Sequence, residues 1–299
     1  MGRAPEFLRG VYAPITTPFT DDGQLSTDNL ERNIKMWLLS PLDGFVVLGS
    51  TGEFPLLTFD EKLQVIEAAV NAAEERPVIA GTGCNSTAET VALTLAAAER
   101  GADAVIVITP YYFRGAMRPS ALEQHYTTIA DQSPVPVLLY NFPQNTGVDL
   151  SLELVAELAQ HPNIVGIKDS GGDMIKLGRL IDAVPEGFQV FTGAAPLLLH
   201  TLLLGGAGGI LAIANVAPWE CGEIYRLYRE GQHEAAAEVQ RRLNAVAAAV
   251  GRHGVAGIKA LMQMLGYYGG PPRPPLEPVE PEELDAIRGV LKEVRMLGC

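Results

Sequence analysis

The stretch "IVGIKDS", residues 164–170, sets four residues without polar side chains directly before a lysine, an aspartate and a serine. A short unbroken apolar run, rather than an alternating one, is expected of a strand in a parallel sheet covered on both faces. Seven other runs read the same way: "GVYAPITTP" (10–18), "GFVVLGS" (44–50), "PVIAGTG" (77–83), "DAVIVITP" (103–110), "VPVLLYN" (135–141), "FQVFTG" (188–193) and "GGILAIA" (208–214). Helical patterns separate them, among them "TFDEKLQVIEAAVNAAEE" (58–75), "STAETVALTLAAAERG" (86–101) and "SLELVAELAQ" (151–160). Ser26, Thr58 and Ser151 stand where helix N-caps are expected. Eight strand–helix units predict an α/β fold closed as a (β/α)8 TIM barrel, in preference to an open doubly wound sheet. After the eighth run the alternation stops. Residues 216–265 read as helix upon helix, "GYYGGPPRPPLEPVEP" (266–281) as an ordered connector packed on the surface, and "EELDAIRGVLKEVRML" (282–297) as a last helix. The expected organisation is a barrel over 1–215 and a C-terminal helical appendage over 216–299.

The chain has 299 residues, 47% hydrophobic and 19% charged, so it can build a sizeable core and global disorder is not expected. A formal charge of −13 argues against nucleic acid or an anionic membrane as partner. The start, "MGRAPEFLRG", lacks the apolar core of a leader peptide, and the longest apolar run is broken by His200 and a glycine cluster, too interrupted for a membrane span. Cys84, Cys221 and Cys299 show no paired spacing, which fits reduced thiols. A soluble cytoplasmic protein is the expectation.

In a (β/α)8 barrel the polar residues at the C-terminal strand ends build the active site. Here those ends are "GSTGE" (49–53), "TPYYFRG" (109–115), "YNFPQNTG" (140–147), "KDSGGD" (168–173) and "TGAA" (192–195). Hydroxyls, tyrosines and glycines around one lysine suit a small oxygenated anion. Lys168 is one of only six lysines among 22 cationic residues. An ordinary lysine there packs its stem and pairs with Asp169 or reaches solvent. Its scarcity and its place after "IVGI" favour a nucleophile instead, because burial disfavours a charged amine and Schiff-base chemistry needs a neutral one. Tyr140 ends the neighbouring strand and is the candidate proton shuttle. Tyr111 and Tyr112 are adjacent, so only one faces the pocket. "GGAGG" (205–209) precedes a strand and is read as tight packing, not as a dinucleotide site. The five histidines show no ligand spacing, so no metal is expected, and Cys84 is read as a small packed residue.

Taken together, "GSTGE", "TPYY", "YNFPQNTG" and "GIKDS" resemble the dihydrodipicolinate synthase/N-acetylneuraminate lyase family of class I pyruvate aldolases, over nearly the whole chain. That resemblance implies a Schiff base between Lys168 and a 2-oxo acid, Tyr140 as proton shuttle, and Ser50 and Thr51 holding the carboxylate. It implies Tyr112 reaching a neighbouring subunit's site, hence a homodimer or homotetramer, and no cofactor. Asn145, Ser170 and Gly193 complete the candidate substrate-binding set. Asn145 stands where the synthases carry an arginine for a substrate carboxylate. Moreover "GSTGEFP", "ALEQHYTTIADQSPVPVLLY", "HPNIVGIKDSGGD" and "GYYGGPPRPPL" look like the 4-hydroxy-2-oxoglutarate aldolase branch. The implied reaction is retro-aldol cleavage of 4-hydroxy-2-oxoglutarate to pyruvate and glyoxylate. The alternatives are 4-hydroxy-tetrahydrodipicolinate synthesis from pyruvate and aspartate semialdehyde, and cleavage of a 2-keto-3-deoxy sugar acid.

Overall fold

A computed structural model describes residues 4–293. Strands and helices alternate as β1 (Gly10–Pro14), α1 (Thr27–Trp37), β2 (Gly44–Val47), α2 (Phe59–Ala72), β3 (Val78–Gly81), α3 (Thr87–Glu99), β4 (Ala104–Ile108), α4 (Pro119–Gln132) and β5 (Val137–Asn141). There follow α5 (Pro143–Thr146), α6 (Leu152–Leu158), β6 (Ile164–Asp169), α7 (Met174–Ala183), β7 (Gln189–Thr192), α8 (Leu198–Leu203) and β8 (Gly208–Ile210). Each strand pairs in parallel with the next and β8 returns to β1, closing the (β/α)8 barrel. Every strand is shorter than its apolar run, and in all but β5 the last residues of the run leave the ladder at the barrel mouth.

The unbroken apolar runs are explained by two burial layers. Inward residues, among them Tyr12, Val46, Ile79, Ile106, Leu138 and Phe191, fill the barrel. Outward neighbours such as Val11, Val47, Val105 and Leu139 pack under the helices. Both faces of each strand are dry, so no polar alternation survives in the sequence.

One irregularity aims the site. β5 keeps strict alternation, with Leu138 and Tyr140 inward and Val137 and Leu139 outward. Its partner β6 slips: Val137 faces Ile164, but Leu138 faces Gly166, so Val165 is an extra residue. Val165 points in, Ile167 points out, and the reset phase sets Lys168 opposite Tyr140. A bulge of this kind is how a sheet re-aims one side chain. Gly166 permits it, because a Cβ there would stand 2.5 Å from the Gln189 carbonyl oxygen.

Local signals hold the helices. Thr58 and Glu61 form a reciprocal capping box on α2 (3.3 and 2.8 Å), and the Ser151 hydroxyl accepts from the Leu154 amide at 3.2 Å. Ser26 occupies the N-cap of α1, but its hydroxyl accepts from the Asn29 side chain (2.9 Å) and caps no helix amide. Beyond β8 lie α9 (Pro218–Arg229), α10 (His233–Gly251), α11 (Gly254–Met264) and α12 (Pro281–Glu293). The proline-rich connector is pinned to the barrel. Tyr268 exchanges two 2.8 Å hydrogen bonds with the Asn33 side chain and donates its hydroxyl to the Phe19 carbonyl at 3.0 Å. No helix among the described residues is long and apolar enough to cross a membrane. Met1–Arg3, Cys299 and the end of the expected last helix, 294–297, lie outside the described residues.

Candidate active site

β5 and β6 deliver Tyr140 and Lys168 in register, as directly facing partners at the C-terminal end of the barrel. Lys168 is only 6% exposed, and its Nζ stands 4.3 Å from the centroid of the Tyr140 ring. Asp169 is not its counter-ion. The Asp169 carboxylate accepts from the Asn141 side chain (2.8 Å) and from the Gly171 amide (2.9 Å). Asn141 also donates to Asp149 (2.8 Å) and accepts from the Leu150 amide (3.0 Å), which ties the segment before α6 back to β5. Among the described residues Lys168 has no ion-pair partner. An ordinary ion-pair role therefore does not account for it.

Gly193, at the end of β7, leaves Lys168 its room. A Cβ there would stand 1.9 Å from Ser170 Oγ and 3.0 Å from Lys168 Cε. The Gly193 amide donates to the Asp169 carbonyl at 2.7 Å and the Ser170 amide to the Asn141 carbonyl at 2.8 Å, locking the ends of β5, β6 and β7 together. From the loop after β2, Ser50 Oγ lies 3.4 Å from the Tyr140 hydroxyl. Thr51 is buried in that loop, which is held in place by the Thr17 hydroxyl donating to the Gly52 carbonyl at 2.7 Å.

Ser50, Tyr140 and Asn145 share the wall of one cavity of about 420 Å³. Tyr111 lines it as well, while Tyr112 is 75% exposed and turned away, so the adjacent tyrosines do face apart. The Asn85 side chain accepts from both their amides at 2.9 Å and sets that loop. Most of the wall is apolar and carries no lysine, arginine or histidine. Thr51, Lys168, Ser170 and Gly193 are not among its lining residues. Burial pushes the Cys84 thiol up to about 12, which leaves it a packed residue. Among the described residues no three His, Cys, Asp or Glu gather as metal ligands.

Sequence reasoning missed Glu53, which lines the cavity, and the two C-terminal residues Val255 and Leu276 on the same wall. "GSTGE" contains Glu53, but its buried position was not marked by any local pattern. A sheltered amine without a counter-ion, a phenol and a hydroxyl in one chain of contacts are the parts that imine chemistry uses.

The model of the dihydrodipicolinate synthetase family matches residues 7–294. The chain is 38% identical over 266 residues, 88% of its length and 89% of the other, to a protein of Methanothrix thermoacetophila named 4-hydroxy-tetrahydrodipicolinate synthase. It is 40% identical over 265 residues, 88% of each chain, to one of the same name from Macrococcus caseolyticus. The dihydrodipicolinate synthase of Acinetobacter baumannii, solved with pyruvate, superposes with a TM-score of 0.93 at 33% identity, covering 97% of this chain and 100% of that one. The chain therefore belongs to the dihydrodipicolinate synthetase family and is a class I lyase.

Proposed function

We propose that this enzyme joins pyruvate to an aldehyde, or parts the same pair, through a Schiff base on Lys168. The observation that carries the reading is a buried lysine without an ionic partner among the described residues, seated 4.3 Å over the ring of Tyr140. Lys168 Nζ attacks the C2 carbonyl of the 2-oxo acid and water leaves, giving an iminium that accepts the electron pair of the breaking bond. In the condensing direction a C3 proton departs, the enamine attacks the aldehyde carbon, and hydrolysis frees Lys168. In cleavage the C4 hydroxyl loses its proton, the C3–C4 bond breaks, and the enamine is protonated at C3 before hydrolysis. Tyr140, in contact with Ser50, carries these protons. Ser50 and Thr51 hold the carboxylate, with Ser170 and Gly193 framing the imine.

For the aldehyde, the name shared by the curated relatives supports aspartate semialdehyde, hence 4-hydroxy-tetrahydrodipicolinate synthesis, over the cleavage of 4-hydroxy-2-oxoglutarate that the sequence first suggested. One observation favours that cleavage as a second reading: the cavity presents Asn145 and no cation to a second carboxylate. The exposed Tyr112 and Phe113, packed edge-on at 4.9 Å, support assembly as a homodimer or homotetramer with Tyr112 reaching a neighbour's site. The free buried thiols of Cys84 and Cys221 support a cytoplasmic setting.

Borohydride reduction in the presence of pyruvate is expected to leave one covalent adduct, mapped by mass spectrometry to Lys168 and absent from Lys168→Arg. No adduct on Lys168 would overturn the reading. Condensation with aspartate semialdehyde, assayed beside pyruvate release from 4-hydroxy-2-oxoglutarate and from 2-keto-3-deoxygluconate, then selects the partner.

A further inference from the structure

The loop that carries Ser50 and Thr51 ends on Glu53, a non-glycine residue in the left-handed region (φ 57°). Its side chain is 0% exposed, yet it belongs to the cavity wall. What meets it comes from the far end of the chain. Lys259, on α11 and 1% exposed, brings Nζ to 2.5 Å from Glu53 Oε1, a charge contact without hydrogen-bond alignment. The same ammonium donates to the Pro271 carbonyl at 2.9 Å, and the Arg273 amide donates to Glu53 Oε2 at 2.8 Å. Arg273 then grips Glu61, at the start of α2, with two hydrogen bonds of 2.8 and 2.7 Å, and donates to the Leu56 carbonyl at 2.9 Å. Lys259 and Arg273 each lie over the Phe19 ring, at 4.5 and 4.1 Å from its centroid.

A fully buried ion pair adds little stability over an apolar contact, since desolvation offsets its attraction, but it is directional. Here the direction is fixed on the last residue of the loop that holds Ser50, three positions from the contact with Tyr140. Glu53 is not free for proton transfer, because Lys259 and the Arg273 amide occupy both carboxylate oxygens. Val255 and Leu276, which flank Lys259 and Arg273 in sequence, add two apolar side chains to the wall.

We propose that Glu53, Lys259 and Arg273 are positioning residues that set the Ser50–Thr51 loop for the 2-oxo acid, and that Leu276 and Val255 bound the space for its aldehyde partner. The inference rests on the Schiff-base reading above. It makes α11 and the proline-rich connector part of the active site.

The rate of borohydride trapping against pyruvate concentration measures the grip on pyruvate without any choice of aldehyde. Lys259→Met is expected to raise the pyruvate concentration for half-maximal trapping roughly 10–100-fold, as for a misplaced binding group. Lys259→Arg, which keeps the charge, restores most of it. Glu53→Gln gives the same rise and decides the matter if Lys259→Met does not fold. Leu276→Ala raises KM for the aldehyde more than half-saturation by pyruvate, and an unchanged KM removes Leu276 from the aldehyde's space. A purely structural pair would lower the melting temperature and leave half-saturation at the wild-type value, and that result overturns the inference. If the wild type itself traps no pyruvate, the Schiff-base reading fails and this one falls with it.

Discussion

Tyr140 does two jobs with one side chain, and a single oxygen separates them. Its ring lies under Lys168 Nζ and stacks on Phe142 at 5.9 Å, while its hydroxyl meets Ser50. Tyr140→Phe keeps the ring and both packing contacts and removes only the hydroxyl proposed to carry protons. Turnover is expected to fall roughly 10²–10⁴-fold, the usual worth of a positioned acid–base group. The Lys168 adduct with pyruvate should still form under borohydride, because the amine keeps its place. Steady-state kinetics run beside trapping separate the two effects, and an unchanged kcat would remove Tyr140 from the proton path. The placement of both residues at the barrel mouth was legible in the sequence, because each stands at the end of an apolar run. Glu53 was not. Its partner Arg273 lies 220 positions away, and a pairing of that span leaves no periodic trace in either segment.

Among the elements, β6 shows what an apolar run can hide. Strict alternation counted back from Lys168 puts Gly166 and Ile164 inward, whereas Val165 is the residue that fills the barrel. The strand's existence was plain from "IVGI", but its phase was not, because all four residues are compatible with either face. Register across a strand is a property of the pair, and the slip arises against β5. Gly166→Ala tests the bulge. The added methyl would stand 2.5 Å from a backbone oxygen of β7 and 3.1 Å from Gln189 Cβ, neither of which moves without shifting the strand. The expected cost is about 1–3 kcal/mol in urea unfolding, the range for an overpacked core. Because the strain sits two residues before Lys168, pyruvate trapping should slow as well. A variant that loses stability but traps at the wild-type rate would show that the bulge serves packing and not aim.

At the scale of the whole molecule, the barrel was readable because eight doubly covered strands each announce themselves. The wrapping of the C-terminal connector was not, since proline-rich sequence specifies stiffness and leaves its docking place open. The packing between helices carries a further consequence, in how stability follows pH. His125 on α4 is buried against Tyr126, with Nδ1 2.9 Å from the Thr87 hydroxyl and Nε2 enclosed without a partner among the described residues. Burial pushes its pKa down to about 4 from an ordinary 6.5. Between those values the unfolded chain takes up a proton that the folded chain refuses, so stability falls as pH drops through 6.5 toward 4. The full difference is roughly 3 kcal/mol for this one ring. His125→Leu should flatten the curve in that window and leave untouched the losses that carboxylates such as Glu61, held at about 2 chiefly by Arg273, cause at lower pH. Urea midpoints of both proteins at pH 7, 6 and 5 make the comparison. If the gap between them stays constant across the three, His125 is not the group that titrates.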